Sequence, residues 1–469
     1  TANTTGATNT AVGRTALAAN TTAADNTAVG YAALNANTTG INNVAVGANA
    51  LIVNTTGANN VAVGAYALDA NNVDKNVAIG TSALGANTTG SSSTAVGWEA
   101  LVDCTTGGEN TAVGRSALES VTTGIRNVAV GPYAGGLITT TNYNTAIGYS
   151  ALANNVASNN TAVGFESLKA NTTGVSNVAV GYQAALSVTT GDSITAIGIG
   201  AGQLITTGTD STIVGKHALD QCVTGSYNTA IGNNALGVYT GAQNTAVGFA
   251  CMHTASTGAS NTAVGYYAGA GITTGAGNAA FGHNAGDAIT IGTYNTAIGR
   301  NALGACIDGT GNTGVGNDAG SSTTTGDYNI SIGYNAQPTA VGADGECTLG
   351  DTSISTLRCN DQSISALSDQ RDKTDIVNSP YGLDFINTIQ PRQFKWETRD
   401  GNAKDGKTRV GFIAQELLTA CDGDNAILDL VLENNPDKLE AKYSNLVPIM
   451  AKAIQELSAE VEELKQKAH

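Results

Sequence analysis

The chain has 469 residues and a formal net charge of −16, with 59 glycines, only 6 prolines and 5% aromatic residues. This composition excludes an ordinary globular core, and the acidic balance argues against non-specific binding to nucleic acid or to an anionic membrane. No apolar run is long enough to cross a bilayer, so no membrane insertion is expected.

Charge divides the chain. The first 367 residues hold 8 Lys and Arg against 19 Asp and Glu, and the last 102 hold 13 against 18, giving net charges of −11 and −5. The break falls near Ser368. It predicts repeats over 1–350, a transition segment over 351–367 and a distinct domain over 368–469. The chain opens on Thr1 rather than Met and shows no signal peptide, which predicts a further upstream segment for anchoring or export. Cys104, Cys222, Cys251, Cys306, Cys347, Cys359 and Cys421 are odd in number and form no Cys-x-x-Cys pair. They read as free thiols of a protein made in a reducing cytoplasm, neither a disulfide framework nor a zinc site.

From Asn9 onward one unit recurs, N-T-A-V-G-x-x-A-L-x-x-N-T-T-G. Its central glycine appears 21 times between Gly13 and Gly350. Seventeen of the twenty steps are 17 residues; three, beginning at Gly64, Gly148 and Gly232, are 16. The short steps lie 84 residues apart and mark a five-repeat superperiod, which duplication of a five-repeat block would leave behind.

Seventeen residues are too few for a helical pair and suit one coil of a β-solenoid. At about 4.8 Å per coil the array would extend on the order of 100 Å. The residue before the glycine is Val or Ile in 19 of 21 copies, with Phe281 and Leu349 in the others. This predicts a short strand whose Val/Ile position faces inward and whose preceding Ala faces outward. The glycine permits a bend, the A-L pair adds a second apolar patch, and T-T-G closes the turn. Asn stands four residues before the glycine in 17 of 21 copies and predicts a stacked asparagine ladder. So thin a core per coil predicts a second buried surface shared between chains, most simply three.

The segment Asn26-Thr27-Ala28-Val29-Gly30 resembles the head repeats of trimeric autotransporter adhesins, with their N-x-V/A-A-I/V-G motif. The resemblance covers residues 9 to about 350, although the period here is longer. It implies left-handed β-rolls packed as a trimer.

Positions just after the glycine vary: Tyr31, Trp98, Arg115, Tyr149, Phe165, Tyr182, Lys216, Phe249, Tyr266 and Tyr267. Variable side chains on a constant scaffold are a candidate glycan-binding face; the plainer reading is exposed surface or contact with neighbouring chains. The histidines His217, His253, His283 and His469 share no repeat position and no ligand spacing, so no metal and no cofactor is expected. Cys104, Cys222 and Cys306 each stand seven residues after the glycine, where other copies place Asn, Val or Ile. They read as packing variants.

Past Gly350 the repeat fades, and Ser368-Asp369-Gln370-Arg371-Asp372-Lys373 sets a lysine five residues after a serine. Alone the pair is weak, because such spacing is common on solvated surfaces. As a dyad, a desolvated lysine takes the hydroxyl proton and makes the serine a nucleophile. The later motifs are Phe385-Ile386, Ile389-Gln390-Pro391, Phe394-Lys395-Trp396, Val410 to Leu417, Tyr443 to Pro448 and Ala453 to Leu457. Together with the Ser368 segment they resemble the intramolecular chaperone domain of endosialidase-type phage tailspikes and tail fibres, the S74 peptidase family, over residues 368–469. The resemblance implies a trimer-assembling module that cuts itself from the fibre between Leu367 and Ser368. Ser368 would be the nucleophile, Lys373 the general base, and Asp369 and Arg371 supporting residues. Asp372 stands where the family often has an apolar residue, and a carboxylate beside a lysine favours its charged form, which predicts a slower cut.

The tail can be read from its spacing alone. Val447, Met450, Ile454, Leu457, Val461 and Leu464 step by three and four, a coiled-coil seam. Three heptads are short, but three chains joined there would hold near-identical coils in register. The fold class expected is therefore mainly β: a left-handed β-roll solenoid trimer, then a small α+β chaperone domain with a C-terminal coiled-coil helix. The function expected is a homotrimeric tail-fibre or tailspike adhesin of a virion, binding a host-surface glycan or protein and joining other virion proteins through the segment before Thr1. Its one enzymatic activity would be self-cleavage. The alternatives are a bacterial surface adhesin or extracellular filament, and a glycan depolymerase, for which the repeats offer no clear pair of carboxylates.

Overall fold

The computed structural model describes residues 3–254, 257–354, 358, 368–397, 406–433, 437 and 439–468. They fall into two compact units, Thr1–Gly311 and Asn312–His469.

In the first unit a three-residue strand recurs once per repeat, from Thr10–Val12 to Thr296–Ile298. Each pairs in parallel with the next, in register, so that Thr27, Ala28 and Val29 lie beside Val44, Ala45 and Val46. The register survives the 16-residue steps, where Val61 still lies beside Val77. Glycine ends every strand for a steric reason. Gly30 has φ +138°, and a Cβ there would lie 2.5 Å from the carbonyl oxygen of Gly47 in the next coil.

The strands face the opposite way from the expectation. Ala28, Ala45 and Ala62 are fully buried, whereas the Val/Ile row lies at the surface, with Ile197 40% exposed. A 17-residue coil encloses so little space that most strands turn only a methyl group inward; Ile213 fits at this position where Gly202 replaces the leucine of the A-L pair beside it. The inward room goes instead to the A-L pair, such as Ala33 and Leu34, and to asparagine. The larger β-branched side chains are left on the outer face.

The asparagine ladder is present. Asn26 Oδ1 accepts the Asn43 backbone N–H at 3.0 Å, and Asn43 Nδ2 donates to the Gly57 carbonyl at 2.8 Å. Each side chain therefore satisfies buried backbone groups of neighbouring coils. It lapses at Ile194, whose backbone N–H donates to Asn177 Oδ1 but whose side chain offers no acceptor to the next coil. A second ladder runs through the Asn of N-T-T-G: Asn54 Nδ2 donates to Asn37 Oδ1 at 3.2 Å and to the Gly57 carbonyl at 2.9 Å. Cys104 occupies this position, with Sγ 3.2 Å from the Gly107 carbonyl. Burial pushes its thiol up to about 11.

Three further positions in most coils hold ordinary residues at positive φ, for example Ala32 at 54°, Leu34 at 47° and Asn42 at 57°. Such angles are costly for leucine. Bonds to both neighbouring coils impose them: the Ala32 N–H donates to the Arg14 carbonyl and the Leu34 N–H to the Ala50 carbonyl, each at 3.0 Å. In the short coil after Gly64, the Asn72 side-chain oxygen accepts from the Thr55 and Thr56 backbone at 2.8 and 3.0 Å. It replaces the backbone carbonyl that Thr55 supplies to Thr38 and Thr39 one coil earlier.

The second unit opens with three more parallel strands of the repeat, Thr313–Val315, Ile330–Ile332 and Cys347–Leu349. Two antiparallel pairs follow, Arg392–Lys395 with Thr408–Gly411 and Val431–Leu432 with Glu440–Ala441. Among the described residues four α-helices accompany them: α1 (Leu383–Ile386), α2 (Ala414–Ala420), α3 (Asn425–Leu428) and α4 (Leu446–Lys467). Phe385, Ile389, Leu417, Leu428, Val431 and Leu446 form their shared core. The fold is thus mainly β, a parallel solenoid followed by a small region with two antiparallel pairs and a C-terminal helix.

Candidate functional site

Ser368 stands at the head of a tight turn. Gln370–Asp372 form one turn of 3-10 helix, capped by Asp369, whose Oδ1 accepts the Arg371 backbone N–H at 2.9 Å. The Arg371 guanidinium folds back on the same carboxylate, with Nε 3.0 Å from Oδ1. These two bonds, the side-chain one larger, hold the Asp369 carboxyl below the usual carboxylate range. The Lys373 N–H closes the turn on the Gln370 carbonyl at 3.2 Å. One turn is enough to bring residue 373 back over residue 368: Lys373 Nζ donates to Ser368 Oγ at 2.6 Å.

The pair predicted from the sequence therefore meets, and Asp369 and Arg371 shape the turn that joins it. Leu367, the other side of the expected cut, lies outside the described residues. Ser368 and Lys373 are both exposed, so the described residues do not supply the desolvation that the chemistry calls for. A cleft of about 880 Å³ lined by Phe394, Trp396, Phe412 and Tyr443 includes neither of them.

This turn opens a recognisable segment. Residues 368–425 match the Peptidase S74 family, chaperone of endosialidase. The match to the S74 chaperone ends at Asn425, short of the span that the later motifs suggested. Those later motifs pack on the matched part: the Phe412 backbone N–H donates to Tyr443 Oη at 3.1 Å, and Leu446 and Ile449 enter the same core as Phe385 and Leu417. No curated protein matches the chain.

Helix α4 divides its faces. Leu446, Ile449 and Ala453 are buried against the domain, while Val447, Met450, Ile454, Leu457, Val461 and Leu464 are all exposed, Ile454 by 68%. All six predicted seam residues thus share a surface that the chain does not cover. Among the described residues, no His, Cys, Asp or Glu cluster could hold a metal ion, and no helix is long and apolar enough to cross a membrane.

The variable column after the coil glycines forms contacts that the sequence could not show. Tyr149, Phe165 and Tyr182 stack at 5.4 and 5.2 Å between centroids, with ring planes 12° and 8° apart. The Arg115 guanidinium sits 5.1 Å from the Trp98 ring centre and 5.2 Å from that of Tyr133. Phe249 stacks on Tyr266 at 5.4 Å.

Proposed function

We propose that the chain is a fibre-type adhesin, of the phage tail-fibre or tailspike kind. It assembles as a homotrimer through its S74 segment and then frees itself from that segment by cutting Leu367–Ser368. The observation that carries this reading is the 2.6 Å hydrogen bond from Lys373 Nζ to Ser368 Oγ, placed at the first residue of the family match.

In the step proposed, Ser368 Oγ adds to the Leu367 carbonyl carbon as uncharged Lys373 takes the hydroxyl proton. The C–N bond breaks, and the proton passes from Lys373 to the departing Ser368 nitrogen. Water then hydrolyses the resulting ester, leaving a Leu367 carboxylate and restoring the serine hydroxyl. The exposure of the dyad favours a cut that waits for assembly, because neighbouring chains would supply the missing desolvation.

Two unpartnered apolar surfaces support three-chain assembly. One is the α4 seam; the other is the Val/Ile row of the solenoid, which is apolar in every coil yet lies at the surface. A virion location and a host-surface receptor follow from the same reading. The test is to produce the full chain and residues 1–367 separately and measure mass in solution by light scattering. The full chain should yield trimers and the truncated one aggregates or mixed species. Equal yields of trimer from both would refute the chaperone role.

A further inference from the structure

We infer that the column of side chains directly after the coil glycines is a binding stripe for a linear, carboxylate-bearing glycan. The inference rests on the adhesin reading and names its ligand.

The distribution of charge carries it first. Residues 1–311 contain seven Lys and Arg and thirteen Asp and Glu. Four of the seven cations, Arg14, Arg115, Lys216 and Arg300, stand at this one coil position, and none of the thirteen acids does. Seven cations spread over seventeen positions would place fewer than one there. An acidic solenoid thus carries one line with four cations, five or six coils apart, and no acid. The closest acids in sequence, Glu99 and Glu166, occupy the next position, and Glu166 is engaged by Lys169 and Gln183.

The same column is aromatic. Seven of its eighteen residues from Arg14 to Arg300 are Phe, Tyr or Trp, in a chain that is 5% aromatic. Folding does not require them, because Ala48, Ala65 and Thr81 hold the position in coils of identical register. Nor are they buried for stability: Tyr31 is 52% and Tyr182 50% exposed. The neighbouring Val/Ile row, by contrast, is apolar in every coil, as a surface shared between identical chains would be. The two rows are under different constraints, and the variable one suits a ligand.

Geometry narrows the ligand. The rings of the Tyr149–Phe165–Tyr182 stack lie nearly parallel and each is more than 40% exposed. Such an exposed aromatic ribbon suits the C–H faces of successive sugar rings. Arg115, held between Trp98 and Tyr133, presents a planar donor that suits a carboxylate.

The full-length protein should be tested against an array of acidic and neutral polysaccharides, with polygalacturonate, dextran, dextran sulfate and single-stranded DNA titrated in solution. The variants are Phe165→Ala/Tyr182→Ala and Arg115→Ala/Lys216→Ala. Wild type should prefer carboxylated chains, and each variant should weaken binding on the order of tenfold while remaining trimeric. Glycan binding unchanged in both variants would overturn the stripe and leave the adhesin reading standing. No binding to any glycan would count against both. Equal binding of dextran sulfate or DNA would overturn the carboxylate assignment, and loss of trimers would make the column an inter-chain contact instead.

Discussion

Glu456, on α4, accepts the backbone N–H of Leu383, the first residue of α1, at 2.7 Å. It ties the seam helix to the start of the domain core, with Lys452 Nζ 3.1 Å from its other oxygen. The Leu383 bond first, and Lys452 second, hold this carboxyl below the usual glutamate range. A lowered native value stabilises the fold at high pH, and that contribution disappears as pH falls through the ordinary value of about 4.3 to the native one. Glu456→Gln should therefore lower the melting temperature of the C-terminal domain at pH 7 and change it little at pH 3. A deficit equal at both pH values would mean that the charge of Glu456 does not matter.

The asparagine ladder makes a graded prediction. Asn127 donates to the Thr141 carbonyl and accepts the Asn144 backbone N–H at 3.0 Å. Asn127→Ala leaves both groups without their partner and should cost roughly 2 kcal/mol or more. Asn127→Ser should cost less, because Ser93, at the same coil position, still accepts the Asn110 backbone N–H at 3.3 Å. Thermal unfolding followed by circular dichroism would rank the variants. Equal melting temperatures for Asn127→Ala and wild type would contradict the role of the ladder.

How much of this was legible in the sequence depended on what repeats. The 17-residue period, the strand beside each glycine and the Asn26–Asn43 ladder could all be read, because stacking turns a recurring letter into a column. The inward side of the strand could not. Hydrophobicity alone gives Val29 the core over Ala28, and the small size of the coil reverses that order. Left-handed Leu34 had no signal at all, since only bonds to adjacent coils hold it there. Asn72 replacing a backbone carbonyl was equally hidden. In the C-terminal domain, Ser368 and Lys373 were found through motif order. The turn that joins them, capped by Asp369, emerges only in three dimensions.

That reversal gives a paired test of assembly. Ala28→Asp forces a charge into a fully buried position and should break the coil in any oligomeric state. Val29→Asp puts the charge on the outer row, where water can solvate it in a single chain. It should weaken association between chains while leaving the β content of each unchanged, as read by light scattering and circular dichroism. Unaltered trimers in Val29→Asp would show that the Val/Ile row is not an inter-chain surface.

The central claim is that the Ser368–Lys373 pair performs chemistry and that its products are two defined chains. Intact mass spectrometry of wild type, Ser368→Ala and Lys373→Ala, each recovered as folded trimers, tests it most directly. Wild type should resolve into one fragment ending at Leu367 and another beginning at Ser368, while both variants stay at the full 46.9 kDa. Wild-type trimers that persist uncut after prolonged incubation, or Lys373→Ala trimers cut as fast as wild type, would contradict the account.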